Sequence, residues 1–308
     1  MAQRVTVEVQ GRRLGLSNLD KVLYPDVGFT KAQVIDYYQR VAPALLPHLA
    51  GRPATRKRYP NGVEAASFFE KNAPKHTPDW VRTVNLPTPG STKDRETIDF
   101  IIVQDLPTLV WLANLAALEL HVPQWTVGPR GAVRDADLLV LDLDPGPPAT
   151  AVECARVARL LRERLNADGL EPVVKTSGSK GLQVYAAIRP TPAGQVADYA
   201  KALAQRLESD HPDLVVHRMT KTLRPGKVLI DWSQNNAAKT TVASYSLRAR
   251  GQPTVSTPLT WVEVEDASDP EQLVFHSGDV LERIAREGDL FASLVDADPA
   301  PRARPRLP

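Results

Sequence analysis

The chain has 308 residues, 43% of them hydrophobic and 24% charged, the balance of an ordinary globular protein. A single cysteine, Cys154, excludes an intrachain disulfide and leaves too few thiols for a cysteine-based zinc cluster. The net charge of +2 conceals two basic regions, residues 1–60 and 175–250, and an acidic one, 263–298, with eleven acids against two arginines. Such a split fits either a polyanion-binding face or ordinary solvated surface charge. No apolar run approaches the length of about 20 residues that spans a bilayer, and the N-terminal MAQRVTVEVQGRR is not a signal peptide. A soluble, cytoplasmic protein with no membrane association is expected.

In chain order, Val5–Val9 alternates as a strand, and Thr30 can cap a helix whose apolar positions Val34, Tyr37, Val41 and Leu45 share one face. Ala54–Arg58 and Ile98–Val103 are strand-like, separated by a Pro- and Thr-containing connector, 74–90. A second helix is predicted from about Leu106 to Leu120. The strand Leu138–Leu143 follows, then a third helix capped by Thr150 with Val152, Ala155, Leu161 and Leu165 along one side. Strands at Pro172–Thr176, Gln183–Ile188, Leu214–Val216 and Val228–Trp232 are interleaved with a helix from about Gly194 to Glu208, and Gly278–Arg286 forms a last helix. Interleaving on this scale predicts an α/β or α+β fold. No internal repeat is visible, and from Asp296 the Pro- and Arg-rich end is expected to be a disordered tail.

Three stretches carry chemistry. In LLVLDLDPG, Asp142 and Asp144 lie two residues apart near the end of an apolar strand, so both carboxylates project from one face. Two such groups side by side favour a hard divalent cation between them. Sugar transferases and aspartyl-nucleophile phosphatases also carry Asp-x-Asp, and a pair of solvated carboxylates at a strand end has the same sequence. In KTSGSKGLQVY, Ser177 and Lys180 stand among glycines between two strands, a turn whose hydroxyls, amides and lysine suit phosphate oxygens. It lacks the spacing of a Walker loop, and a plain hairpin is the competing reading. In KVLIDWSQNN, Asp231 ends a further apolar strand, with Arg224 before it and Lys239 and Arg248 after. A third carboxylate among cations is what a triphosphate with divalent metals requires.

Together these stretches resemble the polymerase domain of bacterial ATP-dependent DNA ligase D, of the archaeo-eukaryotic primase superfamily. The resemblance runs over about residues 10–290 and rests on LSNLDKVLYP (16–25), ASFFEKNAP (66–74), LELH (118–121), LDLDPG (141–146), TSGSKGL (176–182) and DWSQN (231–235). It implies a mixed α/β primase-polymerase fold, two packed mixed sheets flanked by helices, with an RRM-like catalytic part. It further implies one domain over 1–295. Residues 1–130 would carry DNA 5′-phosphate and template contacts, and residues 131–295 the catalytic groups.

The same resemblance implies residue roles. Asp142, Asp144 and Asp231 would hold two Mn²⁺ or Mg²⁺ ions, and His121 would stand near the primer end and incoming nucleotide. Ser177, Lys180, Gln183, Arg224, Lys239, Arg248 and Lys57 would contact an NTP or dNTP, with NTPs preferred. Phe68 and Phe69 would stack on bases, although most adjacent aromatics are partly buried and the residues alone favour a core pair. Asn18, Lys21 and Lys31 would receive a 5′-phosphate. Two departures stand out: Gln183 replaces a histidine usual in the family and cannot carry charge, and a longer segment, VPQWTVGPRGAVRDAD, follows His121. The implied activity is template-directed gap filling and end extension in non-homologous end joining. Gapped or broken DNA, a ligase and a Ku-like end-binding protein would be the partners of a monomer. The alternative is a non-catalytic module that bridges ends through a 5′-phosphate. The absence of a ligase or nuclease segment fits either a stand-alone polymerase or an excised domain.

Overall fold

The computed structural model describes residues 4–87, 96–295 and 304–308. Arg4–Val9 (β1) and Arg12–Ser17 (β2) form an antiparallel hairpin, and Val22–Tyr24 (β3) pairs with Phe29–Thr30 (β4) ahead of helix Lys31–Leu49 (α1). Thr30 caps α1 as expected: its hydroxyl accepts from Gln33 N, and Gln33 Oε1 accepts from Thr30 N at 2.7 Å. Strands Pro53–Arg58 (β5), Phe68–Glu70 (β6), Thr83–Pro87 (β7) and Thr97–Ile102 (β8) lead to helix Leu106–Asn114 (α2) and strand Ala117–Val122 (β9). Next come Trp125–Val127 (β10), Val133–Pro145 (β11), helix Ala151–Ala167 (α3), Pro172–Thr176 (β12), Leu182–Thr191 (β13) and helix Ala193–Asp210 (α4). Val215–Val216 (β14), Val228–Asp231 (β15), Thr241–Val242 (β16) and Pro258–Leu259 (β17) complete the strands, followed by helices Trp261–Asp266 (α5) and Ser277–Glu287 (α6).

The strands form two large sheets. One has the order β16-β9-β5-β8-β7, with β6 on β5, and packs with α1 and α2 around Leu45, Leu49, Leu118 and Leu120. The other has the order β14-β15-β11-β13-β12-β17, with β10 on β11. Within it, β11-α3-β12-β13-α4-β15 gives the antiparallel order 15-11-13-12, a split βαβ arrangement. One face of this sheet is closed by α3 and α4 over Leu139, Leu141, Leu143, Val157, Leu161 and Val184. The opposite face carries the alternate residues of β11: Leu138, Val140, Asp142 and Asp144. Leu138 and Val140 pack with Tyr185, Phe291 and Leu294. Among the described residues, no helix is long and apolar enough to cross a membrane.

Three expectations differ from the structure. The predicted helix over 106–120 stops at Asn114; Ala116 takes a left-handed turn (φ 57°), and LELH continues as β9 between β5 and β16. Helix propensity in Ala-Leu-Glu-Leu yields there to strand pairing, which sends Leu118 and Leu120 into the core and leaves Glu119 and His121 on the other side. The 74–90 connector contains an edge strand, β7. Of the tail, residues 296–303 lie outside the described residues, but 304–308 do not trail into solvent. Arg304 donates to Leu294 O at 3.0 Å, Pro305 O accepts from Arg189 N at 2.8 Å, and Leu307 packs on the α3/α4 core.

Candidate active site

A polar row crosses the open face of the second sheet. Lys175 on β12 pairs with Gln183 on β13, Gln183 with Asp142 on β11, and Asp142 with Asp231 at the end of β15. Asp144 lies two residues along β11, opposite Leu229 and on the same face. The strand end is clamped between backbones: a side chain on Gly181 would collide with the Leu143 carbonyl, and one on Gly146 with the Arg224 carbonyl. Glycine at these two places lets the phosphate-type turn and the Arg224 loop close on the carboxylate strand.

The three carboxylates repel one another. Burial and the charge of Asp144, then that of Asp231, push Asp142 up to about 7, although Gln183 Nε2 donates to it at 3.0 Å. Burial and Asp231 raise Asp144 as well, with Arg224 pulling the other way. Asp231 is tied locally. Its Oδ1 accepts from Ser233 N at 3.0 Å and its Oδ2 from Gln234 Nε2 at 2.9 Å, with Lys239 Nζ 4.0 Å away. Among the described residues, no three His, Cys, Asp or Glu side chains are gathered closely enough to hold an ion as they stand. The donor set, three hard oxygen donors with excess negative charge, nevertheless fits divalent cations.

A second charged cluster sits on β9. Glu119, 3% exposed, takes a hydrogen bond from His121 Nε2 at 3.0 Å, lies 3.4 Å from Arg248 Nε and accepts from Ala249 N at 3.1 Å. Burial alone would raise Glu119, but His121 and Arg248 outweigh it and hold it at about 2. Burial lowers His121 in spite of Glu119, so its ring is neutral at pH 7 with Nε2–H toward the carboxylate and Nδ1 free to accept. The Phe69 ring meets His121 edge-on, with centroids 5.7 Å apart. Lys57 Nζ lies 5.2 Å from the centre of the Tyr59 ring. Arg248 Nη1 donates to Ser177 O at 2.5 Å, which joins this cluster to the 177–181 turn. Ser177 Oγ closes that turn by accepting from Ser179 N and Gly181 N, while Lys180 is exposed. Arg224 Nη2 donates to Met219 O.

The structure thus gathers Asp142, Asp144, Asp231, Gln183 and Lys239 in one group. His121, Phe69 and Arg248, with Ser177, form another. Phe68 and Phe69 are 50% and 53% exposed on β6, so the core reading of this pair is wrong. Asn18, Lys21 and Lys31 form a third group on the β2–β3 turn and the start of α1. Asn18 is left-handed (φ 53°), Lys21 Nζ donates to Asn61 Oδ1, and the buried Lys31 donates to Ser17 O at 2.6 Å. Burial, Lys21 and Arg58 lower Lys31 to about 8. Asn18 and Lys21 line an open recess with Val5, Leu19 and Asp20.

Sequence reasoning did not single out Glu119, Lys175, Tyr185, Thr241, Ser233 or Gln234. Glu119 stands two residues from His121, and Ser233 and Gln234 lie inside DWSQN, so strand alternation and the motif itself carried a signal for those three. Lys175, Tyr185 and Thr241 acquire their places only through cross-sheet contacts.

Residues 30–291 match the LigD primase-polymerase domain. The chain belongs to this family. It is 45% identical over 297 residues to the multifunctional non-homologous end joining DNA repair protein LigD of Mycobacterium tuberculosis, a match covering 93% of the chain and 37% of that protein. The bifunctional non-homologous end joining protein LigD of Bacillus subtilis is 32% identical over 281 residues, covering 91% of the chain and 44% of that protein. The chain therefore spans less than half the length of these curated relatives. Among solved structures, the polymerase domain of M. tuberculosis ligase D in complex with DNA superposes with a TM-score of 0.86 at 45% identity. That match covers 92% of this chain and 98% of the other. The mixed α/β architecture with two large sheets is thus that of the LigD polymerase domain.

Proposed function

We propose that this LigD-family chain is a template-directed nucleotidyltransferase, favouring NTPs, that fills short gaps and extends ends during non-homologous end joining. The observation that carries the reading is the Asp142–Asp231 cross-strand pair with Asp144 beside it, three mutually repelling carboxylates flanked by Lys239 and Arg224. Two Mn²⁺ or Mg²⁺ ions held by these carboxylates would activate the primer 3′-hydroxyl and neutralise the triphosphate. The reaction forms a bond from the 3′-oxygen to the α-phosphorus and releases pyrophosphate. Lys180, Lys239, Arg224 and Arg248 supply positive charge for the phosphates, and the amides of the 177–181 turn supply donors. His121, held neutral with Nδ1 unprotonated, accepts a hydrogen bond from a primer or ribose hydroxyl. Phe68 and Phe69 offer a stacking surface for bases, with Lys57 beside them.

The solved relative is in complex with DNA, which supports DNA as the partner of this chain. A ligase and a Ku-like protein would act with it, and the cytoplasm would be its place. The test is extension of a gapped primer carrying a downstream 5′-phosphate, with NTPs or dNTPs and Mn²⁺ or Mg²⁺. Template-directed addition supports the reading, and none with either metal refutes it.

A second reading, bridging of ends through a 5′-phosphate, is favoured by the Asn18/Lys21 recess with the Lys31 ammonium beside it. Lys21→Ala and Lys31→Met should each weaken 5′-phosphate-dependent DNA binding about tenfold and leave nucleotide binding unchanged. Because only the protonated Lys31 attracts phosphate, that binding should also weaken as pH rises through about 8. Binding indifferent to the phosphate would remove this reading.

A further inference from the structure

Gln183 occupies the place from which the family resemblance implies a triphosphate contact, yet its hydrogen bonds run elsewhere. Its side chain is 3% exposed, and Nε2 donates to Asp142 Oδ1 at 3.0 Å. On its other side, Oε1 lies 3.4 Å from the Tyr185 hydroxyl. That hydroxyl lies 2.8 Å from Thr241 Oγ1, which accepts from Gln124 Nε2 at 2.8 Å. Gln124, Thr241 and Tyr185 are all buried.

The chain has a polarity. An amide nitrogen can only donate, so Gln124 fills an acceptor site on Thr241. The Tyr185 hydroxyl donates to Thr241 Oγ1 at 2.8 Å and points its proton side to Gln183 Oε1 at 3.4 Å, so it meets both oxygens as a donor. A hydroxyl donor facing Oε1 and a carboxylate acceptor facing Nε2 hold the amide with its NH₂ toward Asp142. Thr241 belongs to β16, which pairs with His121's strand β9, and Gln124 follows β9. The carboxylate on the second sheet is therefore oriented from the first. Lys175 does not compete for Asp142, because its Nζ donates to Val242 O at 3.0 Å and to Ser256 Oγ.

We infer that Gln183 is a positioning residue for Asp142, braced across the two sheets by Tyr185, Thr241 and Gln124, and is not a triphosphate contact. This rests on the reading of Asp142 as a metal-holding carboxylate. Hydrogen bonds of this kind fix which lone pair a carboxylate presents, so their loss is felt in ion affinity.

The experiment titrates Mn²⁺ alone into the full chain, following free Mn²⁺ by electron paramagnetic resonance, and measures KM for ATP in gap extension. Gln183→Leu should weaken Mn²⁺ binding about tenfold while KM for ATP stays within about twofold. Tyr185→Phe, which keeps the ring, should weaken it about threefold, and the double variant should be no worse than Gln183→Leu alone. Should Gln183→Leu fail to fold, Tyr185→Phe decides by the same readout. Unchanged Mn²⁺ affinity with KM for ATP raised about tenfold would make Gln183 a phosphate contact and overturn the inference. Mn²⁺ binding by the unaltered chain that neither variant disturbs would overturn it alone. A chain that neither binds Mn²⁺ nor extends primers would instead defeat the reading of the site itself.

Discussion

Two charged clusters stand on the two large sheets, and their carboxylates are shifted in opposite directions. Asp142 and Asp144 are both raised from the ordinary carboxylate value, because desolvation and the charge of neighbouring carboxylates oppose ionisation. Glu119, more deeply buried than either, is nevertheless held at about 2 because His121 and Arg248 complete it. Burial is common to both, so the sign is decided by neighbours. The β9 cluster is electrostatically closed and serves as a scaffold that carries His121 and Arg248. The β11/β15 cluster is open, and a cation from outside is what would close it.

The contrast breaks most sharply at the open cluster. Asp142→Ala or Asp144→Ala should cut primer extension by about a thousandfold or more, the several kcal/mol a metal contributes to such a transfer, with DNA binding spared. Extension at the unaltered rate by Asp142→Ala would sink the metal assignment. At the closed cluster the loss should appear in stability. Glu119→Gln leaves Arg248 without its buried partner and should cost about 3–5 kcal/mol in denaturant unfolding. A value near zero would mean that Arg248 is compensated from solvent.

The pH dependence should separate the clusters next. Glu119 is depressed from 4.5 to about 2, so its contribution to stability is present above about 4.5 and is lost as pH falls toward 2. Asp142 is raised from 3.8 to about 7, so the folded chain holds a proton that the unfolded chain has given up. Without divalent ions its contribution to stability should decline as pH rises from about 4 to 7. Thermal unfolding across this range should show that decline in the unaltered chain, less of it in Asp142→Asn, and a flatter profile with Mn²⁺. Profiles that Mn²⁺ does not change would argue against ion binding at the carboxylates. The smallest effects belong to the exposed edge of the β9 cluster. Phe68→Ala and Phe69→Ala should each weaken DNA or nucleotide binding by about 1–3 kcal/mol while barely moving the unfolding midpoint, since both rings are half exposed. A large loss of stability would return them to the core.

Some of this was written in local pattern. Period-two alternation placed Asp142 and Asp144 on one face, and caps such as Thr30 and Thr150 marked helix starts that the structure keeps. The motif blocks were specific enough to point to the family that the comparisons establish. Pattern failed where a short apolar-polar run suits two periods. Ala-Leu-Glu-Leu reads as helix until β5 and β16 claim it as a strand, and the 304–308 end reads as solvent-exposed until Arg304, Pro305 and Leu307 find partners on the folded chain.

By itself, the sequence determined which strands end in carboxylates, where the phosphate-type turn lies and to which family the chain belongs, because these are properties of neighbours along the chain. Only the tertiary structure decided that Asp142 faces Asp231 and that Glu119 is neutralised by an arginine 129 residues away. It also decided that Gln183 turns to a carboxylate. The physical reason is that pairing register and burial set the dielectric and the neighbouring charges, and neither is encoded within any one segment.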